Sequence, residues 1–175
     1  MTDLVLTLIG QDRPGLVEAV AAIVRGHGGN WLESRMTRLG GKFAGILRAE
    51  LPSERAEGAL RALADLETLG LKVMVEVEAP RPIRTPPPGA LMELEVVGVD
   101  RPGIVQEFAQ LLSAARVNVE EMTTGRRSAP MSGEMLFEAR AVVRLPASTD
   151  VATLRAKLER AAKDLVVDVR LEPSS

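Results

Sequence analysis

At an offset of 88 residues, Leu4–Glu33 aligns with Met92–Glu121 without a gap, and 10 of 30 positions are identical. The centre of the match is GQDRPGLV (Gly10–Val17) against GVDRPGIV (Gly98–Val105), and Asn30 and Glu33 recur as Asn118 and Glu121. Beyond a longer segment in the second copy the offset becomes 94, and Phe43–Pro52 aligns with Phe137–Pro146. A repeat of this length means that one supersecondary unit occurs twice. Any fold for the chain has to be two copies of one small domain. Charge agrees: residues 1–79 carry 9 Lys+Arg and 11 Asp+Glu, and residues 91–175 carry 11 and 13. Five of the 11 prolines fall in Ala79–Ala90. Such a stretch lacks backbone donors and favours extended polyproline geometry, which predicts a stiff linker. The expected organisation is a first domain over 1–79, a linker over 80–90 and a second domain over 91–172.

Each copy carries the same order of local signals. Leu4, Leu6 and Leu8, or Met92, Leu94 and Val96, alternate and end at Gly10 or Gly98, a strand pattern. Apolar residues then recur at Leu16, Val17, Val20, Ile23 and Val24, and at Ile104, Val105, Phe108, Leu111 and Leu112, one face of a helix of about three turns. Asp12 and Asp100 are expected as N-caps, with Pro14 and Pro102 in the first helical turn. Gly26-His27-Gly28-Gly29 stops the first helix. Two strands joined at Gly40-Gly41, a helix over 53–69 and a strand carrying Val73, Val75 and Val77 complete the unit. In the second copy the last helix runs over 150–165. The order βαββαβ predicts an α+β, ferredoxin-like fold, with a four-stranded antiparallel sheet and two helices on one face.

The other face of each sheet is left to water or to a partner. It carries Val5, Thr7 and Ile9 in the first copy and Glu93, Glu95 and Val97 in the second. Units of about 80 residues have only marginal cores of their own. Pairing of units or chains is therefore expected, with a homo-oligomer as the result.

Several function classes drop out on composition. One His and no Cys leave no thiolate metal site, disulfide or Cys nucleophile, and nothing resembles a catalytic constellation. No enzyme activity, metal or cofactor is expected. A net charge of −2, no helix-turn-helix and only four aromatic residues argue against direct nucleic-acid binding. No apolar run approaches the ~18 residues that span a bilayer, and no leader is expected; a reducing cytoplasm suits such a chain.

Gly-x-Asp-Arg-Pro-Gly falls where a strand turns into a helix. Free N–H groups there suit a carboxylate, the Asp suits an ammonium group, and Gly10 and Gly98 are expected to leave room at the strand exit. Asn30 or Asn118 offers a donor and an acceptor for either end of a zwitterion. The longer segment Gly125–Glu134 is expected as a mobile hairpin loop, with Arg126 and Arg127 as solvated arginines or as contacts to a ligand or acidic partner.

A βαββαβ unit with GxDRPG at its first turn and Asn opening the second strand resembles the ACT domain, an amino-acid-sensing module. Two such units in one short chain resemble the glycine cleavage system transcriptional repressor family. That resemblance implies a ligand between the first strand–helix loop of one unit and the second strand of a neighbour. It implicates Gly10, Asp12, Arg13 and Asn30, and equally Gly98, Asp100, Arg101 and Asn118. It also implies a small amino acid such as glycine or serine as ligand, and a protein partner, either a transcription factor or a metabolic enzyme under feedback control.

Overall fold

In the computed structural model, which describes residues 1–78, 89–129 and 133–174, the alternating leucines form the centre of the first unit. Strand β1 (Thr2–Gln11) buries Leu4, Leu6 and Leu8 on one face. Helix α1 (Leu16–Gly26) lays Leu16, Val20 and Val24 on that face. Strands β2 (Asn30–Leu39) and β3 (Lys42–Leu51) follow, joined at Gly40 and Gly41, both with positive φ (57° and 76°), as the favoured two-residue hairpin requires. Helix α2 (Ala56–Asp65) is flanked by single 3₁₀ turns at Ser53–Arg55 and Leu66–Leu69, so the expected helix over 53–69 has a regular centre and tightened ends. Strand β4 (Leu71–Glu78) closes the unit.

The second unit repeats the plan with β5 (Gly89–Val99), α3 (Ile104–Ala114), β6 (Asn118–Ser128), β7 (Met135–Pro146), α4 (Val151–Leu165) and β8 (Val167–Pro173). Each sheet is antiparallel, in the orders β2-β3-β1-β4 and β6-β7-β5-β8, the ferredoxin-like arrangement. The chain divides into two compact units, 1–84 and 85–175, each with its own apolar cluster. Strand β5 takes in Gly89 and Ala90 from the end of the proline-rich stretch; the rest of the expected linker lies outside the described residues.

Capping shows how far the two copies have diverged. Helix α1 ends in a Schellman turn: Gly28 N–H donates to Arg25 carbonyl (2.9 Å) and Gly29 N–H to Val24 carbonyl (2.9 Å), with Gly28 left-handed. His27, at the helix end, places Nδ1 2.9 Å from the Ile23 carbonyl. Helix α3 ends in the same turn, but Arg116 holds the left-handed position at φ 56°. Helix α4 starts on a true side-chain cap, Asp150, which accepts from the Ala152 and Thr153 N–H groups. The Thr153 hydroxyl, followed by those N–H groups, holds its carboxyl below the ordinary aspartate range. At its other end Val166 is left-handed (φ 56°) and 62% exposed, where the first unit has Gly70. A left-handed β-branched residue costs ~1–2 kcal/mol. Val166→Gly is therefore expected to stabilise the second unit by about 1 kcal/mol, which a rise in the thermal midpoint would show.

Candidate functional site

The two strand–helix loops have one geometry. Gly15 (φ 92°) and Gly103 (φ 100°) are the residues on which α1 and α3 begin, and neither helix has a side-chain cap. A Cβ at either glycine would meet nothing within 4 Å, so the left-handed backbone is what requires glycine there. This corrects two expectations. Asp12 and Asp100 are not N-caps, and Pro14 and Pro102 lie in the turn before the helix, because a left-handed residue is inserted between proline and helix. The loop is tied instead to the neighbouring hairpin. Asp12 N–H donates to the Gly41 carbonyl (3.1 Å), and Asp100 N–H to the Met135 carbonyl (2.8 Å).

Both aspartates face an arginine across that hairpin. Asp12 pairs with Arg38 and Asp100 with Arg126, each at 2.7 Å. Arg38 and Arg126 are again 88 residues apart, five positions beyond the identical Glu33 and Glu121. Extending the gapless alignment that far would have singled out Arg38, which sequence reading missed. Arg126 and Arg127 are also not in a loop. Strand β6 runs on to Ser128, paired with Met135, and Arg127 pairs with Glu138. The hairpin tip is thus shorter than Gly125–Glu134, and its residues 130–132, Met131 among them, lie outside the described residues.

Gly10 and Gly98 serve packing. A Cβ at Gly10 would lie 2.6 Å from the Gly70 carbonyl oxygen, and one at Gly98 2.5 Å from Val167 Cγ1. The space expected for a ligand is filled by the last strand of each sheet. Arg13 donates to the Leu69 carbonyl, tying the loop to the end of the second helical segment. Arg101 is partly buried beside Asp100.

Asn30 and Asn118 stand elsewhere. Asn30 opens β2 opposite Glu50, which in turn pairs with Asp3 at the start of β1. Gly10 lies seven residues further along β1, about 23 Å away at strand rise. Strands β1 and β2 run in the same direction, so the start of β2 and the end of β1 occupy opposite ends of the sheet. The same holds for Asn118 and Gly98. One unit therefore does not bring its Asp and Asn together around one ligand. Each Asn instead donates to a carboxylate, Asn30 to Glu50 (3.5 Å) and Asn118 to Glu120 (3.0 Å). Asn118 and then Arg144 hold the Glu120 carboxyl below its ordinary range. Both second strands carry a bulge just beyond the Asn, at Leu32 and at Glu120.

In the second unit the loop borders an open cleft of about 700 Å³, lined by Asp100, Arg101, Gly103, Gln106 and Arg126 with the apolar start of α3 as its floor. Carboxylate, guanidinium and the uncapped start of α3 converge on it. That set can hold an ammonium and a carboxylate at once. The open sheet face is a poor surface for bases: Arg140 pairs with Glu95 (2.8 Å), and Phe43, Phe137 and Phe108 pack with the cores, as does Trp31 in part. Among the described residues no cluster of His, Asp or Glu could hold a metal ion, and no helix is long and apolar enough to cross a membrane.

Comparison with known proteins agrees with this architecture. The ACT domain family model matches residues 2–77 and again 94–172. The glycine cleavage system transcriptional repressor of Escherichia coli (strain K12) is 26% identical over 171 residues, 98% of this chain and 87% of that protein. A crystal structure of an unknown protein from Galdieria sulphuraria superposes with a TM-score of 0.84 at 26% identity, covering 99% of both chains. Another, of a candidate glycine cleavage system transcriptional repressor, gives 0.68 at 20% identity over 98% of this chain and 96% of that one, a likeness of fold. With the same strand–helix loop, ion pair and sheet order in both halves, and the family model matching each half in turn, the chain belongs to the ACT domain family as a tandem pair of units.

Proposed function

We propose that this protein is a non-catalytic regulator that binds a small amino acid, such as glycine or serine, at its ACT loops and acts on transcription through a protein partner. The observation that carries the reading is the twice-built Asp–Arg pair, Asp12–Arg38 and Asp100–Arg126, set beside an uncapped helix start and, in the second unit, over a cleft. Exposed ion pairs contribute little to stability, so a stability role alone is a weak reason for two identical ones. Opening the pair frees Asp for an ammonium and Arg for a carboxylate. Because Asn30 and Asn118 lie at the far ends of their sheets, the second-strand contribution comes from a neighbouring copy in a homo-oligomer. The target, genes of glycine breakdown, follows the name of the E. coli relative.

A thermal-shift screen of the proteinogenic amino acids tests the reading. A ligand at about 100 times its Kd stabilises by about 2.7 kcal/mol, roughly 10–20 °C for a unit of this size. Glycine or serine is expected to give such a shift, and Asp12→Ala or Asp100→Ala to weaken binding about 10-fold or more, the loss of a charge-assisted contact. No response to any amino acid overturns it.

A further inference from the structure

The two copies differ where α1 or α3 faces the edge strand of its sheet. In the first unit Trp31 and Met36, on the helix side of β2, are half buried against the core. Gly45 makes this possible: a Cβ there would lie 2.7 Å from Met36 Cγ. The positions 88 residues on are Val119 and Thr124, and across from Thr124 stands Ala139 where the first unit has Gly45. Neither replacement reaches the core. Val119 is 40% exposed, Met122 beside it 54%, and Val105 on the facing helix 44%.

What remains is a groove of about 160 Å³ between α3 and β6 with no polar lining, floored by Phe108, Phe137 and Ala141. It adjoins the Asp100–Arg126 cleft: Ile104, Val105, Ala109 and Phe137 line both. An aliphatic cavity of about 150 Å³ accepts a guest the size of benzene. A four-carbon side chain is smaller than that.

We infer that the second unit is selective for an amino acid with an aliphatic side chain, of the leucine, isoleucine or methionine class, its charged head at Asp100 and Arg126 and its side chain in the α3–β6 groove. The first unit, with Trp31 and Met36 in the equivalent place, admits only a small side chain. The inference rests on the proposed amino-acid binding and divides it: the two units read two signals.

Calorimetry on the full chain carrying Asp12→Ala, which weakens the first-unit site and leaves the second, tests this with glycine, alanine, valine, leucine, isoleucine and methionine. Leucine, isoleucine or methionine is expected to bind about 30-fold more tightly than glycine, through transfer of several CH₂ groups out of water. Asp100→Ala should weaken that binding about 10-fold or more, assigning it to the second unit. The double variant Thr124→Met/Ala139→Gly, two residues from Arg126 on β6, copies the Met36–Gly45 plug of the first unit and should bring leucine affinity down to that of glycine. Val105→Phe alone, at a residue that lines both cleft and groove, with circular dichroism as the check on folding, serves if the double variant does not fold. Glycine binding as tightly as leucine, or undiminished leucine affinity in a folded plugged variant, overturns the inference while leaving amino-acid binding intact. A plugged variant that changes oligomeric state at constant leucine affinity also overturns it, and shows a second copy covering the groove. If no amino acid binds, both readings fall together.

Discussion

Leu158→Ala is expected to cost the second unit about 3–5 kcal/mol, which lowers its thermal midpoint by roughly 15–30 °C. Leu158 is fully buried on α4, between Leu154 and Ala162 on the same helix face, in a cluster that includes Val143 and Leu145 of β7. Trimming the isobutyl group to a methyl leaves a void that a sheet tied by backbone hydrogen bonds cannot collapse to fill. The two apolar clusters share no side chain, so the loss is confined to one of them. Trp31, the single tryptophan, belongs to the first unit and reports it alone. In urea, the Trp31 fluorescence transition should stay in place while the circular dichroism transition gains an early phase. A shifted Trp31 transition would show instead that the two units unfold as one.

Gly98→Ala is expected to destabilise the second unit by about 2–3 kcal/mol. The added Cβ would meet Val167 Cγ1 at 2.5 Å, Val167 Cα at 2.7 Å and the Val166 carbonyl at 2.8 Å. Two of those three are backbone groups held in the β5–β8 pairing, so relief requires the strands to part. Gly26→Ala is the control: a Cβ there meets nothing within 4 Å inside a helix, so the change should be neutral or slightly stabilising. Chemical denaturation of both variants checks the contrast. Equal stability of Gly98→Ala and the parent would mean that the strand exit is roomier than its packing indicates. The result also bears on ligand studies. A Gly98 variant that binds poorly would report damaged packing, whereas the Asp100 and Arg126 side chains lie outside the β5–β8 packing and can be changed without disturbing it.

Much of the fold was legible in the residues themselves. The alternation of Leu4, Leu6 and Leu8 places one face inward whatever the partner strand is. The spacing of Ile104, Phe108 and Leu112 does the same for α3. Gly26–Gly29 spells a helix stop because a glycine accepts the left-handed turn. The misreadings came from competition over distance. An aspartate just before a helix reads as a cap, but in both units an arginine from the next hairpin takes its carboxylate. Gly10 and Gly98 read as open space until the last strand is laid beside them. Arg126 and Arg127 read as loop residues among Pro, Gly and Ser, yet pairing with β7 extends the strand through them.

The sequence alone determined that this chain is one βαββαβ unit twice over, because periodicity, turn glycines and an internal repeat are local or self-referential signals that need no third dimension. It also pointed to the loop that carries the candidate chemistry. Only the tertiary structure decided what that loop faces. Sheet order sets Asp12 and Asn30 at opposite ends of one unit, cross-hairpin pairing joins Asp100 to Arg126, and a groove stays open beside α3 where Trp31 and Met36 close its counterpart. Each of these depends on which distant residues meet, and that is settled by packing rather than by any run of neighbours along the chain.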